Sequence, residues 1–265
     1  MSIELLNDTL MRAFFSELTL SRLNQLILLE SVDSTNNYLL KMEHPPSMVA
    51  CFAEQQTAGR GQRGKSWFSP SGQIYFSLLH QVNKPLHQIT GLSLAVGIAT
   101  AEALGAYGID SSGLQLKWPN DVYYEGKKLA GILVEVNQGI LSSCKIVIGI
   151  GVNLFSSPNY EHQINQPHTS LEQIQNIKIA RNRFAALLVN HCVSSVLEFC
   201  QGGFDSFFDL WRKYDYLFGK KIQITQPQNV LTGWMQGIST KGELLLKDDR
   251  GQVHHCINGS IQICL

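Results

Sequence analysis

The hydrophobic pattern changes character along the chain. Up to about residue 217, apolar runs with a period of two alternate with stretches in which apolar residues recur every three or four positions. This alternation predicts strands and helices in one α+β domain. From Phe218 onward, short alternating runs are separated by glycines, which predicts a small all-β module. We therefore expect a main domain over 1–217 and a second domain over 218–265.

Within these two regions the pattern predicts individual elements. The predicted helices span 3–26, 36–41, 89–104, 181–200 and 204–217, and the predicted strands of the main domain span 26–29, 48–56, 73–81, 114–118, 129–136 and 146–154. Four further strands are predicted over 221–225, 231–238, 242–248 and 260–265, and loops over 57–72, 119–128 and 156–178. The first helix is expected to bury the face that carries Leu6, Leu10, Phe14 and Leu18.

Composition narrows the class of protein. Of the 265 residues, 44% are hydrophobic and 16% are charged, which is typical of a folded protein and not of a disordered chain. Lys and Arg together number 21, as do Asp and Glu, so no overall field favours nucleic acid or anionic lipid. No apolar run approaches the ~18 residues that span a bilayer, and the N-terminus lacks the basic start of a signal peptide. We expect a cytoplasmic protein with no membrane partner.

The cysteines argue against a metal finger and against disulfides. The six cysteines include no CxxC pair, and their spacing with the eight histidines matches no zinc finger. We therefore expect reduced thiols, most of them in the core, and no structural zinc site.

A glycine-rich basic loop lies between two predicted strands. Over Gly59–Lys65, three glycines let the backbone approach a ligand, while Arg60, Arg63 and Lys65 supply cations, which suits a phosphate-bearing ligand. A solvated surface turn has the same composition. Because the loop opens into a strand, it is neither a Walker loop nor a dinucleotide fingerprint. The GXXG at 61–64 leaves an RNA-binding KH module open, although a KH loop joins two helices.

A second loop combines a carboxylate, an amide and lysines. The segment KWPND at 117–121 is followed by Lys127 and Lys128. Carboxylate and amide oxygens suit a hard cation, and lysines suit phosphate. The alternative is an ordinary turn, since Pro, Asn and Asp are common turn residues.

Taken together, five segments resemble the biotin protein ligase family in their order and spacing. They are DSTN at 33–36, EQQTAGRGQRGKSW at 54–67, KWPND at 117–121, KLAGILVE at 128–135 and GIGVN at 149–153. The resemblance implies a mixed sheet with helices, similar to class II aminoacyl-tRNA synthetases, followed by a small SH3-like β-barrel. Lipoate ligases share this fold and chemistry, but GRGQRG and KWPND favour biotin.

The resemblance also implies roles for individual residues. Biotin would be bound by Ser34, Thr35, Asn36, Gln56, Gly59, Arg60, Trp67, Lys128 and Gly131. The nucleotide would be bound by Arg63, Lys65, Lys117, Asn120 and Asn153, and Mg²⁺ by Asp121. The groups that act in catalysis would be Lys128, Arg60 and Arg63. Gln62 departs from the family, which often has arginine there.

The implied activity is the ATP-dependent activation of biotin to biotinyl-5'-AMP, followed by transfer of biotin to a carrier lysine. The substrates would be ATP and biotin, with Mg²⁺ as cofactor, and the partner would be the biotin carboxyl carrier protein of acetyl-CoA carboxylase. Residues 1–25 are too few for a winged helix-turn-helix, so we expect a ligase without DNA-binding repressor function. A homodimer is left open.

Overall fold

The computed structural model describes residues 3–82, 89–138, 144–156, 166–175 and 178–264. Its helices are α1 (Asp8–Arg12), α2 (Glu17–Arg22), α3 (Thr35–Leu40), α4 (Leu92–Tyr107), α5 (Leu171–Ile174), α6 (Arg181–Gly202) and α7 (Phe208–Tyr214). Its strands are β1 (Gln25–Val32), β2 (Met48–Gln56), β3 (Ile74–Val82), β4 (Leu114–Lys117), β5 (Asp121–Tyr124), β6 (Lys127–Gln138), β7 (Cys144–Val152), β8 (Lys221–Thr225), β9 (Val230–Ile238), β10 (Leu244–Lys247), β11 (Val253–Cys256) and β12 (Ser260–Ile263).

Seven strands form one large mixed sheet, in the order β1-β2-β3-β7-β6-β5-β4. Strands β1 and β2 are parallel, and each of the other neighbouring pairs is antiparallel. The side chains of β2 pack into the core on both faces of the sheet, because successive residues of a strand point to opposite sides. Phe52 joins the main core below α4 and α6, whereas Val49 and Cys51 pack in a smaller cluster with Leu39 of α3. The predicted α+β class with a mixed sheet is confirmed.

Helix α6 lies in the core of the main domain. By length and hydropathy it is the one helix in the described part of the chain that could cross a membrane. Here it packs against α4, and Phe184, Leu188 and Val196 are among its buried residues. A buried core helix passes the same test, so this helix is weak evidence for a membrane span.

The N-terminal segment differs from the single helix predicted over 3–26. Two short helices form instead, because Asn7 caps α1 and Ser16 caps α2 by accepting backbone N–H groups. The predicted buried face is also wrong, since Leu10, Phe14 and Leu18 are 50%, 47% and 40% exposed. Met11, Phe15, Thr19 and Leu23 are the buried residues of this segment.

Two strands lie where none was predicted. Strand β5 crosses the predicted loop over 119–128, with Val122 and Tyr123 buried between β4 and β6. Glu125 and Gly126 have positive φ and turn the chain from β5 into β6. Strand β11 was missed because its VHHC sequence lacks a clear alternation. In the predicted loop over 156–178, the described residues include the short helix α5.

The last five strands form a separate antiparallel sheet, in the order β11-β10-β9-β8-β12. Within the described residues, its two end strands are not hydrogen-bonded to each other, so the sheet is open. The SH3-like barrel remains a prediction. This sheet contacts the main domain at Trp118, whose indole N–H donates to the carbonyl of Gly242 at 3.1 Å. No disulfide links the six cysteines, all of which are described, and four of them are buried.

Candidate functional site

A cavity of about 260 Å³ lies where the glycine-rich loop, the KWPND segment and the strands β6 and β7 meet. Thirteen of the residues proposed from the sequence line it: Ser34, Thr35, Asn36, Gln56, Arg60, Arg63, Lys65, Trp67, Lys117, Asn120, Asp121, Lys128 and Gly131. Gly59 and Asn153 are outside this lining. Gly59 lies directly behind it, against Gln56 and Ser69, and Asn153 lines a smaller cavity of about 40 Å³.

The glycine-rich loop connects two strands that pair in the main sheet. It runs from the end of β2 to the start of β3, and these strands are antiparallel. The loop closes on itself where Trp67 N–H donates to the carbonyl of Gly59 and Gly61 N–H donates to that of Lys65. The KH interpretation is therefore wrong, because a KH loop joins two helices.

One end of the cavity is a network of uncharged polar groups. The Thr35 backbone N–H and hydroxyl lie 2.9 and 3.2 Å from Gln56 Oε1, and Gln56 Nε2 donates to Ser69 Oγ at 3.0 Å. Ser77 Oγ lies 2.7 Å from Thr35 Oγ1 and 2.6 Å from Asn36 Oδ1. Ser34 occupies the N-cap position of α3, yet its side chain makes no capping hydrogen bond. Capping therefore does not explain the presence of serine at this position, which lines the cavity.

Glu135 links this network to the glycine-rich loop. Its carboxylate forms a 2.8 Å ion pair with Arg60 and accepts a 2.9 Å hydrogen bond from Asn36 Nδ2. Arg60 also donates to Asn37 Oδ1 at 2.6 Å. In this structure the Arg60 side chain is therefore held by α3 and β6, although the resemblance assigns it to the ligand.

Glycines of β6 and β7 form a floor on which Trp67 lies. Gly131 and Gly151 are register partners, and a Cβ at these positions would lie 2.8 and 2.5 Å from the Trp67 ring. Gly149, two residues before Gly151, faces Asn36 in the same way, because a Cβ there would lie only 2.3 Å from Asn36 Oδ1. Since any side chain would fill these spaces, the glycines allow the indole and the amide to reach the sheet.

The other end of the cavity is rich in cations. Lys128 Nζ forms a 2.7 Å ion pair with Asp121 and lies 5.2 Å above the Trp67 ring. Lys117 Nζ lies 3.4 Å from the hydroxyl of Tyr123. Burial lowers the pKa of Lys117, Asp121 opposes this shift, and the nearby ammonium groups of Lys128 and Lys65 lower that pKa further. Several cations thus share one carboxylate, which leaves this end positively charged.

The C-terminal sheet contributes a wall of the same cavity. Gly259, directly before β12, and the first two residues of that strand, Ser260 and Ile261, are among its lining residues. Arg63, which adopts a left-handed backbone conformation with φ of 57°, donates a hydrogen bond to the Ser260 hydroxyl. The sequence gives no signal for this contact, since 197 positions separate the two residues.

The described residues hold no cluster of three or more His, Cys, Asp or Glu side chains that suits a metal ion. Asp121 is the carboxylate that lines the cavity beside the lysines. Its Oδ1 is buried beside Lys128 Nζ, but it accepts no hydrogen bond of good geometry.

The chain is similar to known proteins in its sequence and in its fold. The model of the biotin/lipoate A/B protein ligase family matches residues 28–153. The bifunctional ligase/repressor BirA of Escherichia coli strain K12 is 36% identical over 234 residues, which cover 88% of this chain and 72% of that protein. The chain belongs to the biotin/lipoate A/B protein ligase family. This confirms the resemblance seen in the sequence.

Two further members of the family are similar to this chain. The biotin--[acetyl-CoA-carboxylase] ligase of Mycobacterium tuberculosis is 31% identical over 203 residues, which cover 75% of this chain and 73% of that protein. The biotin protein ligase from Aquifex aeolicus, solved in complex with biotin and ATP, superposes with a TM-score of 0.77 at 28% identity. That comparison covers 91% of this chain and 99% of the Aquifex chain.

Proposed function

We propose that this family member is a biotin protein ligase, which forms biotinyl-5'-AMP from biotin and ATP and transfers biotin to a lysine of a carrier protein. The observation that carries the proposal is a single cavity with two unlike ends, one lined by paired uncharged groups and the other by cations. Biotin has a neutral ring system and a carboxylate, and ATP brings the phosphates. The uncharged end matches the ring system of biotin, and the cation end matches the carboxylate of biotin and the phosphates of ATP.

The uncharged end suits the ureido ring of biotin. That ring has one carbonyl acceptor and two N–H donors, and buried polar groups bind a ligand well when each finds a partner. Hydroxyl groups of Ser34 and Thr35, the amides of Asn36 and Gln56, and the backbone near Gly59 would supply these partners. Trp67, on the floor that contains Gly131, would cover the apolar part of biotin.

The cation end suits the first half-reaction. A carboxylate oxygen of biotin attacks the α-phosphorus of ATP, and the bond from that phosphorus to pyrophosphate breaks. Lys128 would stabilise the negative charge that builds on the α-phosphate, and Arg63, Lys65 and Lys117 would face the phosphates. Arg60 would join them by leaving Glu135. Asn120 donates to the Ile132 carbonyl at 2.9 Å, so its contribution would include holding this segment in place.

The residues present fit a magnesium ion bound together with ATP. Mg²⁺ is commonly held by one or two carboxylates, with phosphates and water as the remaining ligands. Asp121 provides a buried carboxylate oxygen without a well-aligned hydrogen bond, and it would hold the ion after Lys128 turns toward the phosphate. The ion would neutralise charge on the leaving pyrophosphate.

The second half-reaction needs a partner protein. The amine of the carrier lysine attacks the acyl carbon of biotinyl-5'-AMP, the bond to AMP breaks, and the amine releases a proton. No nucleophilic side chain of the ligase takes part. The partner we propose is the biotin carboxyl carrier protein of a carboxylase, in agreement with the name of the mycobacterial relative. We also propose that residues 218–265 form an SH3-like domain beside a catalytic domain over 1–217.

The test is to incubate the protein with ATP, Mg²⁺ and either biotin or lipoate, and to look for the adenylate by mass spectrometry. We expect biotinyl-5'-AMP, and transfer of biotin after a carrier fragment is added. Formation of the lipoyl adenylate alone would replace this proposal with a lipoate ligase. Absence of both adenylates would overturn both functions.

A further inference from the structure

Lys117 is the last residue of β4, the strand at one edge of the large sheet. Its register partner on β5 is Asp121, and the pair before it on the same face is Gln115 with Tyr123, because residues two apart in a strand point to the same side. Lys117 lines the cavity, whereas Tyr123 is 6% exposed and is outside the described lining. Tyr123 therefore contacts Lys117 from outside the cavity.

The Tyr123 side chain holds the charged end of Lys117. The Nζ atom of Lys117 lies 3.4 Å from the Tyr123 hydroxyl and 5.4 Å from the centre of the ring. A phenolic oxygen can accept a hydrogen bond from an ammonium group, and an aromatic ring attracts a cation within about 6 Å. Lysine carries its charge on a flexible stem. The position of the Lys117 charge therefore depends on the position of the Tyr123 ring.

Tyr216, from the segment that joins the two parts of the chain, packs on Tyr123. The two rings are stacked, with centres 5.2 Å apart and planes inclined by 22°. Lys220 Nζ lies 3.3 Å from the centre of the Tyr216 ring, and the Lys220 carbonyl accepts from Met235 N–H of β9 at 2.9 Å. Contacts thus run from the C-terminal sheet to the cavity through Lys220, Tyr216, Tyr123 and Lys117, which we call the tyrosine stack.

The backbone around Tyr216 is fixed to the same edge of the sheet. Tyr216 N–H donates to the Leu116 carbonyl at 3.0 Å, and Asp215 is the bridge partner of Leu116 in a parallel sense. Since β4 pairs with β5 on its other side, the joining segment extends the sheet beyond β4. Leu116 directly precedes Lys117. Tyr216 is therefore held beside β4 by its backbone and against β5 by its ring.

We propose that Tyr216 is a positioning residue for Lys117, which sets the place of the Lys117 ammonium group by fixing the ring of Tyr123. The proposal rests on the function proposed above, in which Lys117 faces the phosphates of ATP. Tyr216 is outside the described lining of the cavity, so it acts without touching the nucleotide. Because small displacements of a positioned group are costly, the cation end depends through this contact on how the C-terminal sheet is seated.

The test is a double-mutant cycle on the affinity for a non-hydrolysable ATP analogue, measured by calorimetry at saturating biotin. We expect Tyr216→Ala to weaken binding about tenfold, because a hydrogen bond to a charged group contributes about this much. Tyr216→Phe keeps the ring and should stay within about twofold of wild type. In a Lys117→Ala background, Tyr216→Ala should change the affinity by less than about twofold, since its effect passes through the missing ammonium group.

Two outcomes of this cycle would overturn the proposal. One is an equal effect of Tyr216→Ala in the wild-type and Lys117→Ala backgrounds, which would show that the tyrosine acts on the whole domain. The other is a loss in Tyr216→Phe as large as that in Tyr216→Ala, because the stacked ring would then not be the feature that matters.

A matched control separates this role from the general loss of an aromatic residue under a lysine. Trp234 of the C-terminal sheet is 47% exposed, and Lys221 Nζ lies 5.8 Å from the centre of its ring. It is outside the described lining of the cavity. We expect Trp234→Ala to leave the affinity for the ATP analogue unchanged. If it weakens binding as much as Tyr216→Ala, the effect is one of overall stability and the proposal fails.

The contact between Tyr123 and Lys117 can also be measured without any substrate. Nuclear Overhauser cross-peaks between the Tyr123 ring and the Lys117 side chain should be present in the wild-type protein and in Tyr216→Phe, and lost in Tyr216→Ala. Their persistence in Tyr216→Ala would overturn the positioning role even in an active enzyme. A wild-type protein that forms no biotinyl-5'-AMP would instead overturn the proposed function, and the cross-peaks would still show whether Tyr216 positions Lys117.

Discussion

The two ends of the cavity differ in their charge and in how their polar groups are paired. At the end near α3, the polar groups of Thr35, Asn36 and Gln56 are already hydrogen-bonded within the protein, through Ser77 and Ser69. At the other end, Lys117, Lys128 and Lys65 lie around the single carboxylate of Asp121. The first end is preorganised for an uncharged ligand, whereas the second is electrostatically incomplete until an anion binds. Substitutions at the cation end should therefore lower mainly the rate of adenylate formation, and those at the uncharged end should lower mainly the affinity for biotin.

The largest effect is expected at the cation end, from Lys128→Ala. Adenylate formation should fall about 10²–10³-fold, by analogy with the loss of an oxyanion donor. The substitution should also lower the free energy of unfolding by about 1–3 kcal/mol, because it leaves a buried oxygen of Asp121 without its partner. Quench-flow kinetics and urea unfolding measure the two quantities. A rate within about threefold of wild type would remove Lys128 from the mechanism.

The control for this variant is the double substitution Lys128→Ala with Asp121→Asn. It removes both charges of the pair, so the unfolding free energy should recover while the rate stays low. Recovery of the rate together with the stability would remove both Lys128 and Asp121 from the reaction, since the proposed magnesium ligand is absent from this variant as well.

The next effect concerns the uncharged end, through Gly149→Ala. The added methyl group would lie 2.3 Å from Asn36 Oδ1, so Asn36 must move and its contacts with Ser77 and Glu135 break. Biotin affinity should fall about 30-fold, a loss of about 2 kcal/mol, with ATP affinity unchanged. Calorimetry measures both. The matched control is Gly97→Ala in α4, where the nearest atom to the new methyl group is 3.6 Å away; an equal loss there would contradict the argument.

A smaller effect is expected at Gln62, a position where the resemblance leads us to expect arginine. An added guanidinium group beside Arg63 would place one more cation near the adenylate, and a net gain of ~1.4 kcal/mol slows dissociation tenfold. Gln62→Arg should therefore release biotinyl-5'-AMP about tenfold more slowly in stopped-flow measurements. Equal off-rates would mean that the existing cations already hold the phosphate, as flexible arginines can do from adjacent positions.

The smallest effect is a difference in salt dependence between the two ends. Raising the salt concentration from about 0.05 to 0.5 M should weaken ATP binding about threefold, because charges at the partly exposed cation end are screened. Binding of biotinamide, which has no carboxylate, should stay constant. Equal salt dependence for both ligands would contradict the division of the cavity into a charged and an uncharged end.

Much of the fold follows from local sequence patterns. The long strands of the main sheet and the helices α4 and α6 were predicted near their observed bounds, because each is a continuous apolar or periodic segment. The N-terminal helix was mispredicted because caps at Asn7 and Ser16 outweigh the apolar period. Lys128 was assigned to a loop, yet it belongs to β6 and is 13% exposed, so we expect its removal to lower stability as well as activity.

The candidate site was predictable only where its residues form motifs. The glycine-rich and KWPND segments stand out by composition, so most lining residues were found. Ser77 and Glu135 were missed as members of the network. Each lies within an ordinary strand, and its partners in the network belong to a neighbouring strand or helix that is distant in the sequence. Ser260 was missed for a stronger reason: its contact with Arg63 depends on how the C-terminal sheet sits against the main domain.

The hydrogen bond from Trp118 to Gly242 bears on which substitutions the junction between the two parts of the chain tolerates. Its acceptor is a backbone carbonyl, which any sequence provides, so the contact places few demands on side chains of the C-terminal sheet. The turn itself is constrained, because a Cβ at Gly242 would lie 3.0 Å from the Cα of Gly91. A side chain in place of Gly242 would therefore disturb the junction, whereas the acceptor of Trp118 is preserved when side chains of the C-terminal strands change.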